Sequence, residues 1–309
     1  MGLTAEQQAA RLSGIGGSDA GVIAGVNPQK TPVTLWLEKT GRVPPENLDD
    51  VEIVQWGVEL EEIIGKAWAR KQSKKAGREV KIRRVNRTLV SKANPFMLAH
   101  IDFDIVGSNE GLECKNTAWW MRDFWGDEET DDVPLYYLIQ GVHYMHVWDT
   151  DAWNFGVLVG GNELRSYRVT RDKDAEGQLI DLERKFWTCV ENDVAPPPIR
   201  VEDLVKLYPE TTGVIQATEE VIVAIEEYKR LKIERDVLID RMDDIKLAVG
   251  TFMGVNSELL DPTDNAITIA TYRSHKETRV DSKRFKAEAD ADMLAKYLKT
   301  GPVRKFLPK

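Results

Sequence analysis

The stretch from Asp102 to Lys115 carries side chains able to hold a divalent cation and to stabilise charge beside it. An acid, Asp102, is followed by a short polar turn and then by Glu113-x-Lys115 inside an apolar run. Gly107, Ser108, Asn109 and Gly111 predict a turn between two strands, with Asp102 ending the first. Glu113 and Lys115, two apart on the second strand, then point to the same face. Oxygen ligands on adjacent strands, with an ammonium group beside them, suit Mg²⁺ or Mn²⁺ rather than zinc. The same residues also fit a charged hairpin with a surface ion pair, so more of the chain is needed to decide.

Three further patterns occur in order. Arg11 precedes Gly14-Ile-Gly-Gly-Ser-Asp-Ala-Gly21. A dinucleotide fingerprint fits poorly, because Asp19 stands where the third glycine belongs. The glycines can expose backbone N–H groups to a phosphate, with Ser18 adding a hydroxyl at a helix start. The simpler reading is a helix cap at Ser18 or Asp19. Gly57-x-x-x-Glu61 falls in a helix expected over residues 51–72, whose apolar face would be Ile53, Leu60, Ile64, Ala67 and Trp68. Gln140 and Tyr144, one turn apart on a helix expected over residues 135–147, share a face.

Taken together, Arg11 with Gly16-Gly-Ser-Asp-Ala20, Gly57-x-x-x-Glu61, Asp102, Glu113-x-Lys115 and Gln140-x-x-x-Tyr144 resemble the YqaJ-type viral recombinases. These are phage-type alkaline exonucleases, related to lambda exonuclease within the PD-(D/E)XK nuclease superfamily. The resemblance covers roughly residues 8 to 195. Asp102-Phe103 stands where the family has a small Asp-Gly turn, a departure that bears on the backbone of the metal loop. The resemblance implies an α/β fold of the restriction-endonuclease-like type: a mixed central sheet flanked by helices, followed by a C-terminal helical and hairpin extension. It implies a Mg²⁺-dependent deoxyribonuclease, with Mn²⁺ as a substitute ion, acting 5′→3′ on double-stranded DNA ends and leaving 3′ single-stranded overhangs for recombination. Asp102, Glu113 and the Cys114 carbonyl would hold the metal, with Glu61 completing or supporting its shell. Lys115 would stabilise developing charge. Gln140 would position the water or Lys115, and Tyr144 would support it from behind. Arg11 and Ser18 would grip a terminal 5′-phosphate. A single-strand annealing partner, a ring-shaped homo-oligomer and a cytoplasmic location in a bacterial host follow from the same likeness. Two rivals are a sequence- or structure-specific endonuclease on the same core and a non-catalytic DNA-binding or assembly protein.

Composition is compatible with this. The 309 residues are 42% hydrophobic and 30% charged, enough for a sizeable core. No apolar run approaches the ~18 residues of a membrane span, and no signal peptide is recognised. Two cysteines, Cys114 and Cys189, with four histidines give no zinc spacing and no disulfide framework. Cys114 alternates to the face opposite Glu113 and Lys115 and is read as core. A net charge of −9 argues mildly against a general nucleic-acid coat, but a carboxylate site is itself negative until metal binds. Charge is uneven: residues 270–309 hold eleven Lys and Arg against five acids, +6, which leaves −15 for the rest. Lys71, Lys74, Lys75, Arg78, Lys81, Arg83, Arg84 and Arg87 form a second basic stretch. Either could meet a DNA backbone or simply solubilise a face.

The elements that must position these groups follow from periodicity. Strands are expected over 80–90, 97–105, 111–115, 152–159 and 163–169, and a helix over 175–190. The Pro196-Pro-Pro198 run marks a boundary, so residues 1–195 form the nuclease core and 200–309 an extension. That extension should hold a long helix over 217–248, a hairpin turning at 261–265 and a tail helix over 282–298. No Walker loop is present, so ATP-driven translocation is not encoded here. The acidic stretch 121–132 is expected as a mobile loop beside the site, bordered by Trp119, Trp120, Phe124 and Trp125. Those rings could stack on a base of frayed DNA, with core packing expected for at least two.

Overall fold

The computed structural model describes residues 12–46, 51–298, 301–303 and 305–308. It separates into two compact units, Met1–Tyr208 and Pro209–Lys309. Arg11 lies outside the described residues.

The first unit opens with α1 (Gly17–Ile23) and α2 (Pro32–Lys39). Helix α2 starts where Thr31 accepts a hydrogen bond from the Thr34 N–H, with Pro32 fixing the first turn. Helix α3 (Glu52–Ala76) ends on Gly77, whose φ of 63° is the left-handed conformation that glycine adopts without strain. Short strands β1 (Ile82–Arg84), β2 (Leu89–Val90), β3 (Leu98–Ala99) and β4 (Phe103–Ile105) lead to the long β5 (Glu110–Thr117). A 3₁₀ turn, Trp119–Phe124, precedes α4 (Leu135–Trp148), β6 (Ala152–Val159), β7 (Glu163–Thr170) and α5 (Lys173–Glu191).

These strands make a five-stranded mixed sheet in the order β1-β4-β5-β6-β7. Only β5 and β6 run parallel; the other neighbours are antiparallel. A parallel pair needs a crossover, and α4 supplies it. Leu112 and Cys114 pack with Ile64 and Trp68 of α3 on one face. Glu113 and Lys115 therefore look to the other face, where α4 lies. The burial of Cys114 against α3 explains its inert character, because burial pushes its thiol up and away from thiolate formation. The expected mixed sheet flanked by helices is thus present.

Several boundaries differ from those expected. The strands expected at 80–90 and 97–105 each break in two, because β1 and β4 join the main sheet while β2 and β3 pair separately. Asp102 precedes β4 rather than ending a strand. Ile53, expected on the buried face of α3, is 70% exposed, because the first turns of that helix extend beyond the core. The proline run does not end the unit. Helix α6 (Val201–Leu207) returns beside α2, where the buried Asp203 accepts a 2.6 Å hydrogen bond from the Thr31 hydroxyl.

The acidic stretch is tied down. Glu128 and Glu129 pair with Lys71 and Lys75 of α3, so these two lysines of the basic stretch are already engaged. Trp125 is core, stacked on Tyr137 with ring centres 5.3 Å apart. Trp119, Trp120 and Phe124 are exposed, so only one of the four rings has the core role expected for at least two.

The second unit holds α7 (Glu219–Met253), the hairpin β8 (Glu258–Leu260) and β9 (Thr268–Thr271), then α8 (Ser282–Glu288) and α9 (Ala291–Tyr297). The tail helix expected over 282–298 is divided at Ala289, whose backbone is extended and where Asp290 caps the second helix.

Candidate functional site

Glu113 is the centre of the cluster. Its Oε1 accepts from Lys115 Nζ at 2.9 Å and from Gln140 Nε2 at 3.0 Å. Its Oε2 is buried and has no hydrogen-bond partner. An unsatisfied buried carboxylate oxygen is costly unless something else comes to it. Gln140, from the middle of α4, also donates to the Tyr144 hydroxyl at 2.9 Å. Gln140 thus holds Glu113, not Lys115, and Tyr144 holds Gln140.

Asp102 approaches from the strand edge. Its Oδ2 accepts the Cys114 N–H at 2.7 Å. In an extended strand a residue's N–H and C=O project toward the same edge, so the Cys114 carbonyl faces the Asp102 side. Glu61, on α3, is near enough for its charge to act on Asp102 and Glu113, but its Oε2 accepts from Arg84 Nη2 at 2.6 Å. Among the described residues, no three His, Cys, Asp or Glu side chains stand together at metal-ligand spacing.

The electrostatics register the crowding. Burial holds the Asp102 carboxyl well above the usual carboxylate range, and the negative charges of Glu113 and Glu61 push it further. Burial also raises Glu113, with Lys115 working in the opposite direction. Burial would lower the Lys115 ammonium, but Glu113, Tyr137 and Asp102 outweigh it and its pKa is raised. Lys115 also lies 4.8 Å from the centre of the Tyr137 ring. Nearby acids and an unpartnered oxygen are oxygen donors, the kind that a hard cation such as Mg²⁺ takes.

The glycine-rich start of α1 reaches the same region. A Cβ on Gly17 would collide with the Tyr144 ring, so only glycine lets α1 sit there. Ser18 is exposed. The cap belongs to Asp19, whose Oδ2 accepts from the Gly16 N–H at 3.1 Å and from Lys39 Nζ at 2.7 Å. Sequence reasoning missed Lys39, Tyr137 and the role of Gly17. Only Gly17 left a signal, as one of two adjacent glycines. Also missed was His143, whose Nδ1 lies 2.9 Å from the buried Glu183 and whose Nε2 lies 2.8 Å from the Leu98 carbonyl.

Glu113 and Lys115 on a mixed sheet, with Asp102 beside them and Gln140 of a helix bracing Glu113, make up the candidate site of this α/β unit. Residues 6–152 match the model of the YqaJ-like viral recombinase domain. Over 179 residues the chain is 37% identical to the uncharacterized protein YqaJ of Bacillus subtilis (strain 168). The match covers 57% of this chain and 53% of that protein, so it spans about half the length of that curated relative. Among solved structures, an alkaline exonuclease from Laribacter hongkongensis is 15% identical at a TM-score of 0.48, over 62% of this chain and 94% of its own. A phage-related exonuclease from Haemophilus somnus 129PT is 14% identical at a TM-score of 0.41, over 58% and 96%. No helix among the described residues is long and apolar enough to cross a membrane.

Proposed function

We propose that this protein is a metal-dependent 5′→3′ exonuclease that degrades double-stranded DNA from its ends and leaves 3′ single-stranded overhangs for phage-type recombination. The observation that carries this reading is Glu113, fixed by Lys115 and Gln140 through one oxygen while the other is buried and unpartnered beside Asp102. The YqaJ-like domain match supports it. Asp102, Glu113 and the Cys114 carbonyl would hold the cation, and Glu61 would join after leaving Arg84. A bound Mg²⁺ supplies positive charge that acidifies water and offsets charge on the scissile phosphate. Lys115 keeps its proton and stabilises the negative charge that develops as the phosphodiester is attacked. Gln140 fixes the rotamer of Glu113, and Tyr144 fixes Gln140.

Direction and end preference rest on the family likeness. In this reading Arg11 and Ser18 receive the terminal 5′-phosphate, with Ser18 exposed on the helix that Gly17 seats against Tyr144. A ring-shaped homo-oligomer and an annealing-protein partner in the bacterial cytoplasm belong to the same proposal.

The test compares a 5′-phosphorylated linear duplex with a covalently closed circle of the same sequence, in Mg²⁺ or EDTA, using wild type and Glu113→Gln. Loss of the linear DNA through 3′-overhang intermediates, only with Mg²⁺ and only by wild type, is the expected result. Cutting of the circle would replace it with an endonuclease. No digestion of either DNA would leave a binding or assembly protein.

A further inference from the structure

Helix α7 is 35 residues long, and most of its apolar side chains stand in solvent, Met253 being buried and Val249 half-buried. Helices of this length are stabilised mainly by packing an apolar face, not by propensity. Two positions of a seven-residue repeat along it are apolar in every turn but one, where Arg235 stands, while Val223, Ile233, Val237 and Leu247 lie off that stripe. Val221, Tyr228, Arg235, Met242 and Val249 occupy one position. Ala224, Leu231, Leu238, Ile245 and Phe252 occupy the position three residues later. A spacing of seven sustained over more than four repeats is the seam of a coiled coil, because it keeps one stripe facing a partner helix. Leu238, Met242 and Ile245 are 57–58% exposed, and Phe252 is 79% exposed. Phe306 of the same unit meets Tyr228 edge-on at 5.0 Å, and Tyr228 remains 43% exposed.

We infer that α7 pairs with α7 of a second copy of this chain as an antiparallel coiled coil. Charge selects both partner and direction. With Val221 of one copy opposite Phe252 of the other, each layer of the seam joins the two heptad positions. Arg235 then faces Leu238, over which its aliphatic stem can lie while its guanidinium reaches water. On the flanks, Glu234 of each copy meets Arg241 of the other, an opposite-charge pair formed twice by symmetry. Lys232 and Lys246 lie over Ile239 and Ile225, and no like charges oppose. A parallel pair would stack Arg235 on Arg235 in the seam and set Arg241 against Lys246, leaving only Glu227 with Lys232 as an attractive contact. A single polar residue in a seam position sets register and orientation in this way. The antiparallel arrangement is two-fold and closes on itself.

The nuclease reading is not required, and the test reads covalent linkage in the full chain. In a Cys189→Ser background, one sample carries Leu231→Cys and another Met242→Cys. Residues 231 and 242 oppose each other in the antiparallel register. Oxidation should therefore cross-link the mixture and neither sample alone. Cross-linking of each variant with itself, or none in the mixture, would overturn the inference. Arg241→Glu provides a second readout. It breaks both Glu234–Arg241 contacts of the antiparallel pair, so association should weaken about fivefold or more. Adding Glu234→Arg should restore it. Tighter association of Arg241→Glu alone would mean a parallel pair, because there the change removes a repulsion.

Discussion

Glu113 shows how one residue can be both well held and incomplete. Two donors fix one of its oxygens, and the other is buried without a partner. Glu113→Gln and Asp102→Asn keep the size and remove a charge each. Both should abolish Mg²⁺-dependent digestion while leaving the far-ultraviolet circular dichroism unchanged. Asp102→Asn should also raise the melting temperature of the chain in EDTA, because it removes a carboxylate raised by burial and by two neighbouring acids. Each kcal/mol gained corresponds to about 2–4 °C for a unit of this size. Added Mg²⁺ should raise the melting point of wild type by mass action and leave the variant unmoved. Full activity in either variant would refute the site. Lys115→Ala should lower turnover by about 10²–10³-fold with a smaller change in the Mg²⁺ concentration required, because the ammonium acts on developing charge. These residues were legible because each signal is local: two residues apart on a strand for Glu113 and Lys115, one helical turn apart for Gln140 and Tyr144. Lys39 on Asp19 was not, since the pair is 20 residues apart in sequence and joins two helices.

At the scale of elements, α1, α4 and α5 are locked around the site by contacts that leave little trace in the sequence. Gly17 seats α1 on Tyr144, which holds Gln140. Gly17→Ala should push the ring aside and lower activity at least about tenfold, with a melting loss of a few degrees. Gly177→Ala is the control: it adds a methyl in open space on α5 and should stabilise by about 0.5–1 kcal/mol. Equal activities would show that the Tyr144–Gln140 contact is not needed. His143 joins α4 to α5. Its two nitrogens lie beside the Glu183 carboxylate and the Leu98 carbonyl, a pair of partners that favours the imidazolium form, in which both nitrogens donate. Burial lowers its pKa, but Glu183 and the carbonyl outweigh burial and the net shift is upward. A raised histidine contributes stability in full below the unfolded value of about 6.5, and that contribution is lost as pH rises through the folded value. Denaturant midpoints measured from pH 6 to 9 should therefore fall for wild type. In His143→Leu/Glu183→Leu that component of the slope should be absent. His143→Ala alone leaves Glu183 buried and unpaired, a loss of about 3–5 kcal/mol. The chain announced strands and helices through periodicity, but not the breaks within 80–90 and 97–105. Those depend on which sheet each half joins, a long-range choice that local propensity does not encode.

At the scale of the molecule, charge is uneven along the chain, and the basic tail is one part of the second unit. The whole chain carries −9, while residues 270–309 carry +6. The division was plain in the sequence. The end of the first unit was not, because the buried Asp203–Thr31 contact that keeps α6 with the core joins residues 172 apart. Some of the tail's charge is already matched: Arg273, Arg279 and Arg284 pair with Glu258, Glu277 and Glu288. The remaining lysines and arginines are candidates for phosphate contact in the proposed nuclease. Each phosphate neutralised on duplex DNA releases counterions and steepens the plot of log affinity against log salt by about 0.9. Deleting residues 273–309 removes this charge and none of Asp102, Glu113 or Lys115. Binding to a duplex longer than the footprint, titrated from 50 to 200 mM salt in EDTA, should weaken, and its slope should become shallower by about 2 or more. The cross-linking of α7 should be measured on the same sample, so that a change in assembly is not mistaken for a change in contact. Turnover at saturating DNA should stay within about threefold of wild type, because the groups that act on the phosphodiester are untouched. A shallower slope with intact α7 pairing assigns the tail to the DNA backbone. An unchanged slope would leave the +6 segment a solubilising face and return phosphate contact to the first unit.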